Sequence, residues 1–127
     1  MSALWQLRAA AALGWLLSTA ASAAGPHGDP IHGQALYESR CTACHSLDHS
    51  RIGPAHRGVF GRHVARVPDF DYSPALRHSN VTWNARTLDR WLTNPEAFIP
   101  GQKMGYSVPD PQDRADIIAF LASPQAH

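Results

Sequence analysis

The chain carries only two cysteines, Cys41 and Cys44, and a single lysine, Lys103, among its 127 residues. Two cysteines three positions apart exclude a disulfide-stapled framework, which needs several well-separated pairs. Methionine is equally scarce: apart from Met1 there is only Met104. Neither charge dominates, with 11 Lys plus Arg against 10 Asp plus Glu. No basic patch marks a nucleic-acid partner. One apolar stretch stands out, Ala9 to Leu17, and it is too short to span a bilayer comfortably, which takes about 20 residues.

That stretch follows a short start carrying Arg8 and precedes small residues through Ala21-Ser22-Ala23. A basic start, a short apolar run and a small-residue cleavage site describe a secretory signal peptide over residues 1–23, cleaved after Ala23 or else Ala24. An uncleaved N-terminal anchor is the other reading of the same residues. Removal leaves residues 24–127 as one domain with ten Lys plus Arg against ten Asp plus Glu. A domain of that size buries a modest core. A large apolar cofactor inside would supply much of the missing interior.

The remaining pattern is helical, without convincing strands. Asp29 caps a first helix with Pro30 at its first position, running to about Thr42. Ile31, Ala35 and Leu36 form one apolar stripe, with Gly33 and Tyr37 on an adjoining one. Residues 46–73 hold Gly53-Pro54, Gly58, Gly61 and Pro68 and no sustained period, so they read as loop. A loop this long calls for a function, and wrapping a cofactor is one. Ser73-Pro74 starts a short turn through about His78. Asn84 caps a second helix from Ala85 to Thr93, with Leu88, Trp91 and Leu92 on its apolar face. Pro95 to Pro109 reads as loop, and a last helix opens with Asp110 and Pro111, buries Ile117, Phe120 and Leu121, and is ended by Pro124.

Cys41-Thr42-Ala43-Cys44-His45 is the Cys-x-x-Cys-His pattern of covalent haem attachment. Spacing the thiols by three in a helical turn sends both to one side, where they meet the two vinyl groups on one haem edge. The next residue, His45, then offers an imidazole nitrogen to iron. A thioredoxin-like redox pair wants a βαβ setting. A structural zinc site wants a second ligand pair, for which only His49 and His56 are at hand, without supporting spacing. For the second iron ligand, Met104 sits in a loop with Pro100-Gly101 rather than on an apolar helix face. A gap-filling core methionine or ligation by His63 or His78 stays open on position alone.

The chain resembles class I cytochromes c, of the mitochondrial and bacterial cytochrome c2 type, over residues 31–122. The matching segments include Gly33-x-x-Leu36-Tyr37, Gly53-Pro54, Gly58-Val59-Phe60-Gly61-Arg62, Phe70-x-Tyr72-Ser73, Val81-Thr82-Trp83, Trp91-Leu92-x-Asn94-Pro95, Ile99-Pro100-Gly101-x-Lys103-Met104 and Asp116-Ile117-Ile118-Ala119-Phe120-Leu121. The resemblance implies an all-α class I cytochrome c fold, about three main helices plus short turns around one covalent haem c. It implies Met104 as the axial methionine and Pro54 as the carbonyl that accepts the His45 ring N–H. It implies Arg62, Tyr72 and Trp83 as hydrogen-bonding partners of the haem propionates, and Gly33 and Tyr37 as the contact with the last helix. The function implied is a periplasmic, monomeric one-electron carrier, not an enzyme, between redox proteins such as a dehydrogenase and a terminal oxidase. A dedicated cytochrome subunit of one periplasmic dehydrogenase, or a haem peroxidase or sensor, are the alternatives. Departures from the family are His56 in place of an apolar residue, read as a satisfied core histidine or a titrating one; Gln102 in place of a hydroxyl; and arginines in place of a lysine ring, so that docking rests on fewer charges.

Overall fold

The computed structural model describes residues 26–127; the signal peptide expected over 1–23 lies outside them. Five helices follow in order: α1 Pro30–Arg40, α2 Pro74–Arg77, α3 Ala85–Thr93, α4 Pro95–Phe98 and α5 Pro111–Leu121, with a closing 3-10 turn at Pro124–Ala126. Among the described residues there is no strand, only one antiparallel bridge between His63 and Thr82.

The two long terminal helices start identically. Asp29 accepts from the N–H groups of Ile31 (2.9 Å) and His32, and Asp110 from those of Gln112 (2.8 Å) and Asp113 (2.9 Å). Each is followed by a proline where the helix needs no donor. α3 begins with a reciprocal capping box: Asn84 accepts from the Thr87 N–H at 3.0 Å, and the Thr87 hydroxyl accepts from the Asn84 N–H at 2.9 Å.

Three expectations need correction. α1 ends at Arg40, because Cys41 already begins the tight turn that aims the two thiols. The segment after Asn94 is not all loop. Asn94 both closes α3 and caps α4, accepting from the Ala97 N–H at 3.0 Å, and its extended backbone turns the chain between the two helices. α5 stops at Leu121, before Pro124, which instead opens the 3-10 turn that buries Ala126.

α1 packs across α5. The stripe that meets it is Gly33 and Tyr37; Ile31 and Ala35 face solvent. A side chain at Gly33 would strike the backbone carbonyl of Asp116, so the glycine sets how near the helices come. Tyr37 then meets Phe120, ring centroids 5.2 Å apart. Asp116 is 2 % exposed and fully bonded: it accepts from the Asp29 N–H (2.7 Å), His32 Nδ1 (2.7 Å) and Gln112 Nε2 (2.9 Å). Gln112 also donates to the His27 carbonyl at 2.8 Å.

The long loop is held by the rest of the chain. The His56 and Arg57 N–H groups donate to the Ser46 and Leu47 carbonyls, both at 2.9 Å. Farther on, Trp83 N–H donates to Arg62 O (2.9 Å) and Val64 N–H to Val81 O (2.9 Å), tying residues 61–64 to 81–83. α1, α3 and α5 thus form one wall and the loop the other, with a cavity between.

Candidate cofactor site

The cavity measures about 800 Å³, toward the upper end of the range of about 300–1,000 Å³ for ligand pockets. Its interior is apolar, formed by Val59, Val64, Leu88, Leu92, Ile117 and Leu121 among others. Its mouth carries Cys44, Ile52 (76 % exposed) and Tyr106 (41 % exposed).

Cys41 caps α1, donating its N–H to Tyr37 O at 2.9 Å. The N–H groups of Cys44 and His45 both turn back to the Cys41 carbonyl, at 3.1 and 2.9 Å. This single turn brings both thiols and the imidazole to the cavity wall. The thiols are not joined to each other. Burial, with only partial relief from Arg40, pushes the Cys41 thiol up to about 11. A thiol–disulfide exchange site needs the opposite, a stabilised thiolate, so the redox-pair reading has no support.

His45 is buried, and its Nδ1 lies 2.8 Å from the Pro54 carbonyl. A carbonyl only accepts, so Nδ1 carries the proton and Nε2 is left with its lone pair. Burial lowers the ring's proton affinity, partly offset by the Pro54 bond, so the imidazole is neutral, as a metal ligand must be. Gly53 passes so close that a Cβ there would overlap the His45 ring.

His56 lies against the same imidazole, ring centroids 3.8 Å apart and planes within 21°. Its Nδ1 is 3.0 Å from the Tyr37 hydroxyl. Burial holds its pKa well below the ordinary histidine value, reinforced by the unfavourable interaction a second proton would have with His45 and by the Arg62 charge. His56 is therefore neutral at physiological pH and fits the core-histidine reading.

Met104 is half-buried on the cavity wall. Gly101, at φ 89°, lets the chain turn before it. Gln102 spans the turn, accepting from the Gly105 N–H at 3.0 Å and donating to Glu96 at 3.2 Å. Both ends of its amide are thus committed to holding the loop. His63 and His78 do not line the cavity; His63 Nδ1 is bonded to the Val64 carbonyl and His78 is exposed. Among the described residues no group of three His, Cys, Asp or Glu is placed to hold a metal, so the zinc alternative with His49 and His56 finds no partners.

Arg62, Tyr72 and Trp83 all reach the cavity. Arg62 donates to the Arg57 carbonyl (2.9 Å) and the Ala55 carbonyl (3.0 Å), which fixes the guanidinium in place. The Tyr72 oxygen accepts from the Val67 N–H at 3.2 Å, leaving its own O–H to donate. Trp83 is 7 % exposed and tilts against Trp91, centroids 5.4 Å apart. Two thiols on one rim, a nitrogen and a thioether on the walls, and a cation with two ring donors in an apolar hollow fit a haem with its acidic side chains. Sequence reasoning named all of these but did not place His56 or Gly53 against the His45 imidazole; the Gly53-Pro54 pair was the signal available for the latter.

A family model described as Cytochrome c matches residues 31–125. Cytochrome c2 of Rhodomicrobium vannielii is 40% identical over 117 residues, covering 89% of this chain and 89% of that protein. Cytochrome c2 of Rhodopila globiformis is 41% identical over 99 residues, 76% of this chain and 93% of its own. Among solved structures, cytochrome cH from Methylobacterium extorquens superposes with a TM-score of 0.70 at 34% identity, covering 74% of this chain and 97% of its own.

Proposed function

The chain belongs to the cytochrome c family, with the all-α class I fold and one haem c joined to Cys41 and Cys44, and we propose that it shuttles single electrons between redox proteins of the bacterial periplasm. As a member of the family the chain is a mono-haem electron carrier that exchanges electrons with redox partners. Bound haem supplies an iron that gains and loses one electron.

His45 and Met104 are the residues that would hold the iron. The observation that carries this reading is the division of labour in the His45 ring. Pro54 takes Nδ1 at 2.8 Å, which leaves Nε2 as the one ring nitrogen with a free lone pair. Such a bond also orients the ring and raises its basicity. Met104 supplies the thioether, and its loop is held by Gln102 and Glu96. Thioether ligation raises the potential of the iron. Arg62, Tyr72 and Trp83 offer charge and donors to the propionates, which would otherwise sit unpaired in an apolar hollow. The apolar lining excludes water, while Cys44, Ile52 and Tyr106 at the mouth leave one edge open to a partner. With His45 and Met104 both bound to the iron, no position would be left for peroxide, and the chain would carry electrons rather than act as an enzyme. Export rests on the leader pattern over residues 1–23.

Replacing Met104 by Ala tests the reading. The ferric parent is expected to show a thioether-to-iron charge-transfer band that peroxide leaves unchanged. The Met104→Ala protein should lose the band, fall in potential and react with peroxide. Survival of the band in the variant would overturn the ligand assignment; its bleaching by peroxide in the parent would overturn the carrier reading.

A further inference from the structure

His56 does more than fill space beside the site. We propose that His56, anchored by the Tyr37 hydroxyl, is a positioning residue that sets the plane of the His45 imidazole. The inference rests on His45 being the proximal ligand.

The bond from His45 Nδ1 to the Pro54 carbonyl pins the ring at one atom. A ring pinned at one atom can still tilt about the line of that bond. A flat neighbour opposes the tilt, because any rotation drives one edge into it and lifts the other away. His56 is such a neighbour: the two imidazoles lie 3.8 Å apart with planes within 21°. A branched aliphatic side chain would fill the volume without presenting a plane.

His56 is itself held at two places, and the residue after it at a third. Its N–H donates to Ser46 O at 2.9 Å, which folds the loop back under the residue that follows His45. The next N–H, of Arg57, donates to Leu47 O at 2.9 Å. Its Nδ1 meets the Tyr37 hydroxyl at 3.0 Å. Tyr37 is 3 % exposed, fixed on α1 against Phe120 of α5, and among the described residues its hydroxyl has His56 as its side-chain partner. A buried hydroxyl holds such a partner firmly, since losing it leaves a polar group with nothing to bond. The chain of contact therefore runs from the packed pair α1–α5, through Tyr37 and His56, to the face of the ligand ring.

The test uses the intact ferric protein with its haem. Proton NMR of the haem methyl groups reads the orientation of the axial ligand plane, and electrochemistry reads the potential. His56→Leu is expected to change the order and spread of the methyl shifts and to move the potential, while the thioether band is kept. Tyr37→Phe, which keeps the ring and loses the anchor, should move the same shifts in the same direction by less. His56→Phe restores a flat face and should return the pattern toward the parent. If His56→Leu lowers only the melting temperature and leaves shifts and potential at parent values, His56 is packing alone and the inference fails. Should His56→Leu not take up haem, Tyr37→Phe decides: parent shifts there overturn the proposal. A parent protein without histidine–methionine spectra would overturn the ligand assignment, and this inference with it.

Discussion

Gly33→Ala adds one methyl group and should unseat the fold's central contact. The new carbon would lie well inside the 3.0 Å that real Cβ atoms essentially never breach, and what it meets is the Asp116 carbonyl oxygen and carbon. These are backbone atoms of α5 and cannot swing aside as a side-chain tip would, so the two helices must separate by on the order of 1 Å. Overpacking of this kind costs about 1–3 kcal/mol, and backbone against backbone belongs at the upper end. Alanine returns about 1 kcal/mol through its better helix propensity. The net loss is roughly 2 kcal/mol, which for a domain of this size lowers the thermal midpoint by about 8–16 °C. Circular dichroism melts of the haem-loaded parent and variant measure it. Gln34→Ala, on the exposed face of the same helix, serves as control and should move the midpoint by no more than about 2 °C. A Gly33→Ala midpoint equal to or above the parent's would refute the reasoning: helix propensity would have outweighed the close approach.

Arg114 joins α5 to Asp89 of α3 (2.7 Å) and to the carbonyls of Val108 (3.0 Å) and Pro109 (2.9 Å), just past the Met104 loop. Arg114→Met should cost about 2–3 kcal/mol and make the thioether band bleach at lower temperature; Arg114→Lys should recover less than half, since one ammonium cannot reach all three acceptors. Full rescue by lysine would show that charge alone matters. His32 has its pKa raised by its hydrogen bond to Asp116, so the stability it lends is complete below about pH 6.5 and lost as pH rises through the raised value. Melts of His32→Gln and parent should differ at about pH 5 and converge by about pH 9, and a gap that widens with pH would reverse the assignment. Asp116 works in the opposite direction. Burial pushes its carboxyl up, but the bonds from the Asp29 N–H, His32 and Gln112 outweigh it and hold it low, so its contribution fades only as acid protonates it below the usual carboxylate range.

The cofactor was legible in the sequence, and with it the residues proposed to hold it, because they are local or rare. The two thiols and His45 sit within five residues, and Met104 has no rival methionine outside the initiator. Helix starts were legible for the same reason, since an acidic cap followed by proline recurs at Asp29-Pro30 and Asp110-Pro111. Asn94-Pro95 carries a related signature and was read only as a stop, because a helix of four residues is too short to show a period. The contact of α1 with α5 through Gly33 and Tyr37 came from the family resemblance; hydrophobicity alone points to Ile31, which is exposed. What the contact requires is the missing side chain of Gly33. The stacking of His56 on His45 was not readable, since it depends on two backbone bonds that fold residues 56–57 onto 46–47, and backbone bonds in an irregular loop leave no pattern in residue type.

The bonds that join α1 to α5 link residues 84 and 87 positions apart. A ribosome adds roughly 5–20 residues per second, and α5 begins 66 residues after His45, so the attachment segment leaves it roughly 3–13 s before that helix starts to emerge. During that interval the cavity beside Cys41, Cys44 and His45 cannot close, because Ile117 and Leu121 of α5, which line it, do not yet exist. The chain order thus leaves the last piece of the cavity wall to be made last. A permuted chain that made α5 first would give up that interval.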